Sequence, residues 1–160
     1  MRATIRSAVP ILLLLMLGLA SSPTRAVAGT ADGLIQVRSA HGFAATVSRL
    51  KGSIEAKGIM LFAEIDQRSL AAKAGVATAP STLLVFGNPR LGGAFVNASP
   101  TTGLDWPVRL LVYEDAAGAV WVAYSDFAWI ARRHGIADGN AAFDTATGVV
   151  AGIVAAVQDD

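Results

Sequence analysis

Cysteine is absent from the 160-residue chain. That absence removes disulfides, thiolate nucleophiles, iron–sulfur clusters, c-type haem attachment and cysteine zinc sites together. Histidine occurs twice, at His41 and His134. A transition-metal site would have to complete its shell with carboxylates, and no metal site is expected. Charged residues make up only 16% of the chain, with a net of +1. Arg2, Arg6 and Arg25 all precede the first carboxylate, Asp32, so without residues 1–28 the 13 basic side chains become 10 against 12 acidic ones, a net of −2. A mildly acidic domain carries no electrostatic footprint for nucleic acid. There is no Gly-x-Ser-x-Gly elbow, and Gly87, Gly92 and Gly93 match neither phosphate-loop spacing. No hydrolase signature and no cofactor follow from these patterns.

The chain instead carries 53% hydrophobic residues, enough for one core and too few residues overall for two ordinary domains. Residues 1–28 have the layout of a secretory signal peptide: Arg2 and Arg6, then apolar Ala8–Ala20, then Ala26-Val27-Ala28 before Gly29. The apolar run falls short of the ~20 residues a membrane-spanning helix needs, and Pro10 interrupts it. The expected product is an exported, periplasmic or secreted protein, off the membrane after cleavage. It has a short linker at 29–33 and a single domain at 34–160.

Within that domain Leu34–Arg38 alternates as a first strand. Ser39 is placed to cap a helix whose apolar stripe is Phe43, Val47, Leu50 and Ile54, stopped by Gly58. Ile59–Asp66 reads as a second strand with Ile59, Leu61, Ala63 and Ile65 on one face. A short helix fits Gln67–Ala74. Thr82–Asn88 and Pro107–Asp115 read as the third and fourth strands, and the Gly-, Pro- and Asn-rich connection between them is expected to be irregular. Asp115-Ala-Ala-Gly118 is a hairpin signal leading to a fifth strand at Ala119–Tyr124. Asp126 can cap a short helix through Ile130, and Asn140–Val157 carries apolar residues at helical spacing. Few strands alternate with long helices, so the predicted class is α+β, with an antiparallel-rich sheet and helices on one face.

Two segments carry a resemblance. Ala79-Pro-Ser-Thr-Leu-Leu-Val-Phe-Gly-Asn-Pro89 and Leu104-Asp-Trp-Pro-Val-Arg-Leu-Leu-Val-Tyr-Glu-Asp115 are similar to the family called domain of unknown function 302. The resemblance runs from about Ile35 to Ala131. It implies a curved antiparallel sheet with helices on one side, a TATA-binding-protein-like arrangement, and a dimer; it implies no established activity. The family commonly ends its second strand with Asp-His, where this chain has Asp66-Gln67. A family role that needs that imidazole does not transfer.

Several side chains invite a functional reading beside a plain one. Asp66 either caps the following helix or stands at a pocket mouth with Arg68 or Arg90. Asn88 either initiates a turn before Pro89 or offers its amide to an anion. Asp105 and Arg109 flank Trp106-Pro107 and could line one polar cleft with Asp66 and Arg90, or form rim charges on a dimer surface. Glu114-Asp115 reads as turn carboxylates, and His134 as answering a helix dipole. Asn97-Ala98-Ser99 is a formal glycosylation sequon. Trp106, Tyr113 and Trp121, with Trp129 and Phe95, are the interaction candidates. Trp121 lies on an open sheet face with Leu111 and Tyr113 if Val120, Val122 and Tyr124 face the helices, and in the core if the faces are reversed. The resulting reading is a non-enzymatic periplasmic binding or sensing module for a small ligand or partner, built as a homodimer. The alternative is an enzyme acting on a small anionic substrate through Asp66, Arg90 and Asp105.

Overall fold

The computed structural model describes residues 32–158; the expected signal segment 1–28, residues 29–31 of the expected linker and residues 159–160 lie outside the described residues. The chain runs β1 (Leu34–Arg38), α1 (Phe43–Ala56), β2 (Met60–Asp66), α2 (Gln67–Lys73), β3 (Ser81–Gly87) and α3 (Pro89–Ala98). A 3-10 helix at Pro100–Leu104 leads into β4 (Val108–Glu114), β5 (Val120–Ser125), α4 (Phe127–Arg133) and α5 (Ala141–Val154), with a last 3-10 turn at Ala155–Val157. The strands form one antiparallel sheet in the order β1-β5-β4-β3-β2. Strands β2 to β5 are a meander, and β1 closes the far edge against β5. The predicted α+β class, antiparallel sheet and one-sided helices are what the structure has.

Period-two alternation decides which side is core. Leu84 opposes Leu110, and Val112 opposes Val122, and all four are fully buried. Val47, Leu50 and Ile54 of α1 pack there, with Phe127 and Ile130 of α4 and Val150, Ile153 and Val154 of α5. Each such side chain contributes about 1.5–3 kcal/mol on burial. The other face carries Leu111 opposite Ala123 and Tyr113 opposite Trp121. Trp121, Leu111 and Tyr113 are only half-buried there, so Trp121 stands on the open face and outside the helix-covered core.

Three expectations are corrected. Ser39 does not cap α1. Its N–H is bonded to Val120 O and that of Ala40 to Val157 O, which hold this stretch against β5 and the end of the chain. The helix starts at Phe43, with Gly42 in the cap position and no side-chain cap. In β2 the alternation breaks between Leu61 and Ala63: Leu61 opposes Phe86 but Ala63 opposes Val85. The extra residue of this bulge puts Leu61 on the opposite face from Ala63 and Ile65. The connection after β3, expected to be irregular, is largely helical as α3 and the 3-10 turn.

Candidate functional site

Asn88 and Pro89 start α3. The Asn88 Oδ1 accepts from the N–H of Arg90 at 2.9 Å and of Leu91 at 3.3 Å, and Pro89 takes the first helical position, where no N–H is needed. Asn88 is therefore a helix cap. Gly92 sits inside this helix because the Trp106 indole lies against it: a Cβ on Gly92 would be 2.0 Å from Trp106 Cε2. A Cβ on Gly87 would likewise meet Trp106 Nε1 at 2.9 Å. Trp106, whose peptide bond to Pro107 is cis, is thus wedged between the end of β3 and α3, and Phe62 meets its ring edge-on at 6.1 Å.

Between α3 and α5, over the ends of β3 and β4, lies a pocket of about 650 Å³. Phe86, Phe95 and Val150 form fully buried parts of its lining. Leu91, Trp106 and Val149 are half-buried wall residues. Phe95 is held in place by stacking on Phe143 at 4.2 Å between ring centroids. The polar liners are Asn88, Arg90, Lys57 and Thr145, all of them exposed and therefore at the rim. No carboxylate lines the pocket. Among the described residues neither Lys57 nor Arg90 takes part in an ion pair.

Asp105 and Arg109 belong to a different place. The Asp105 side chain is 4% exposed, and its oxygens accept from Arg109 Nη2 at 3.2 Å, Arg133 Nη1 at 3.2 Å and His134 Nε2 at 2.7 Å. The desolvation cost of a buried carboxylate is offset by these donors. His134 in turn meets Thr101 Oγ1 through Nδ1 at 2.7 Å. A hydroxyl, an imidazole and a carboxylate in series have the order of a nucleophile–base relay. Here, however, the carboxylate is shared with Arg109 and Arg133, and the series acts as a clamp joining the 3-10 turn, β4 and the end of α4.

Asp66 accepts from Ser69 N at 2.8 Å and caps α2. The polar cleft of Asp66, Arg90 and Asp105 does not assemble: the first caps α2, the third is enclosed by its own cations, and Arg90 lines the apolar pocket. Asp115 caps its hairpin by accepting from Ala117 and Ala119, and it also accepts from Trp121 Nε1 at 2.8 Å. The Trp121 N–H, then the Ala119 N–H, hold the Asp115 carboxyl below the usual carboxylate range. Tyr113 receives the Gln36 amide across the open face. Trp129 packs on Gly33 and under the Arg133 guanidinium, 5.5 Å from the ring centroid. Sequence reasoning singled out four of the pocket's liners, Asn88 and Arg90 as ligand-binding candidates and Trp106 and Phe95 as interaction candidates, and missed Lys57 and the aliphatic wall. Lys57 reads as the end of a helix, and only the fold brings it to α5, where a Cβ on Gly152 would lie 3.3 Å from its Nζ.

Comparison with known proteins agrees with this architecture. Curated relatives are a fluoride-specific ion channel FluC 1 of Brucella suis and another of Brucella abortus, each 37% identical over 105 residues and 66% of this chain. The chain spans about two fifths of their lengths, 41% and 39% respectively. The crystal structure of an uncharacterized conserved DUF302 protein from Bacillus stearothermophilus superposes with a TM-score of 0.72 over 80% of this chain and all of that one, at 16% identity. The model of the family described as domain of unknown function DUF302 matches residues 35–155, and the chain belongs to that family.

Proposed function

We propose that this chain is a binding domain that takes a small, largely apolar molecule into the pocket between α3 and α5, and that it does so after export from the cytoplasm. The observation that carries the reading is the pocket itself. At about 650 Å³ it falls within the range of small-molecule sites, and its depth is apolar and aromatic with polar groups confined to the rim. The enzymatic alternative has less support, because Asp66 and Asp105 are already occupied by the helix cap and by three cationic or imidazole donors. Fluoride conduction, which the relatives' names state, is not part of the reading, since the chain spans only about two fifths of those proteins.

Titration of the protein with an environment-sensitive naphthalene dye tests the pocket. Saturable enhancement, lost in Ala94→Trp, is the expected result. Ala94 is exposed and lines the pocket, so an indole there blocks the mouth without disturbing the core. Enhancement equal in Ala94→Trp and wild type would overturn the reading. Export rests on the Arg2/Arg6, Ala8–Ala20 and Ala26-x-Ala28 series; mass spectrometry of the product should show an N-terminus at or near Gly29.

A further inference from the structure

We infer that the molecule taken into this pocket is a single-chain amphiphile with an anionic head, held with its tail against the half-buried wall of Leu91, Trp106 and Val149 and its head between Lys57 and Arg90. The inference rests on the binding reading above and adds the chemical class. Three observations carry it. The pocket lining contains two cations and no carboxylate. Neither cation has an ion-pair partner among the described residues, so both charges are available to a ligand. The two cations also come from opposite walls: Arg90 stands in the first turn of α3, and Lys57 leaves the end of α1 to lie on α5 at Gly152.

Opposed, unpaired cations above an apolar pocket select against a neutral or cationic head and for an anion. A guanidinium can grip a carboxylate or phosphate oxygen pair, and an ammonium adds a point charge. The Asn88 oxygen is committed to the α3 N–H groups, which leaves its amide N–H2 facing outward as a further neutral donor beside the head. A fully polar anion would leave the aromatic lining wet, and an uncharged hydrocarbon would leave both cations unused. An amphiphile meets both surfaces.

Isothermal titration of the full chain with decanoate, decyl phosphate, decanol and decyltrimethylammonium tests this, on wild type, Ala94→Trp and Lys57→Gln/Arg90→Gln. Both substituted cations are exposed, so the double variant keeps its core. Decanoate or decyl phosphate should bind at least about tenfold more tightly than decanol, and the double variant should remove that advantage while leaving decanol unchanged. Added salt should weaken the anions selectively. The stronger of the two anions assigns the head as carboxylate or phosphate. Decanol binding as tightly as both anions, or the ammonium binding as tightly as either, overturns the anionic head and leaves the pocket reading standing. No binding of any of the four, or anion binding that persists in Ala94→Trp, overturns the pocket reading and this inference with it.

Discussion

Asp105 and His134 are 29 residues apart in sequence and are joined by a 2.7 Å hydrogen bond between two side chains that are each 4% exposed. Because the carboxylate also accepts from Arg109 and Arg133, Asp105→Asn removes the negative charge that three donors share. The two guanidiniums are nearly half exposed and can recover water, so the expected loss is roughly 1–3 kcal/mol, read as a lower urea midpoint at unchanged slope. Arg109→Gln, at the exposed side of the same cluster, should cost less than about 1 kcal/mol.

The two central glycines of α3 should behave in opposite ways. Gly92→Ala pushes a methyl into the Trp106 indole and is expected to lower stability by roughly 1–3 kcal/mol and to weaken dye binding in the adjoining pocket. Gly93, one residue on, has nothing within 4 Å of the position a methyl group would take, so Gly93→Ala should stabilise by about 0.4–1 kcal/mol through reduced backbone freedom in the unfolded chain. Thermal melts of the pair decide it; equal effects would remove Trp106 as the reason for Gly92.

Acid should act on the β4–β5 hairpin through Asp115. Its carboxyl is depressed in the folded chain, first by the Trp121 N–H and then by the Ala119 N–H. A depressed carboxyl contributes stability above its unfolded pKa of about 4, and that contribution is lost as pH falls through the folded value. Trp121→Phe removes the first cause and should shallow the acid limb of a melting-temperature profile between about pH 2 and 5. A limb identical to wild type would show that the indole N–H does not hold the carboxylate.

The open sheet face leads to an expectation about assembly. Leu83 opposes Leu111 and Tyr113 opposes Trp121 on the side away from the helices, and all four are half-buried. Covering them between two copies would contribute roughly 25 cal/mol per Å² of apolar surface before association costs. The protein should sediment as a homodimer at micromolar concentration. Trp121→Glu, which places a second carboxylate beside Asp115 and leaves the helix-side core intact, should sediment as a folded monomer. A wild-type monomer would leave this face without a second copy.

The fold was legible in the sequence where the signal is local. Alternation in Val108–Glu114 and Val120–Ser125, the hairpin at Asp115–Gly118 and the stripe Val47, Leu50, Ile54 each depend on neighbours within a few residues, and so does the Asp66 cap. What failed was local evidence read without its partner. Gly92 and Gly93 looked like loop glycines because the reason for Gly92 is an indole fourteen positions further on. The β2 bulge has no mark of its own in an apolar run, since which residue is left over depends on the register against β3. Asp66, Arg90 and Asp105 are individually sensible members of a polar site, but charge in a sequence carries no distance. Tertiary structure sent Asp105 to His134, left Arg90 beside an apolar pocket and brought Lys57 to the α5 side of the same pocket. Helix and strand identity is set by contacts a turn or a strand away, whereas a pocket is made by packing elements that sequence separation does not order.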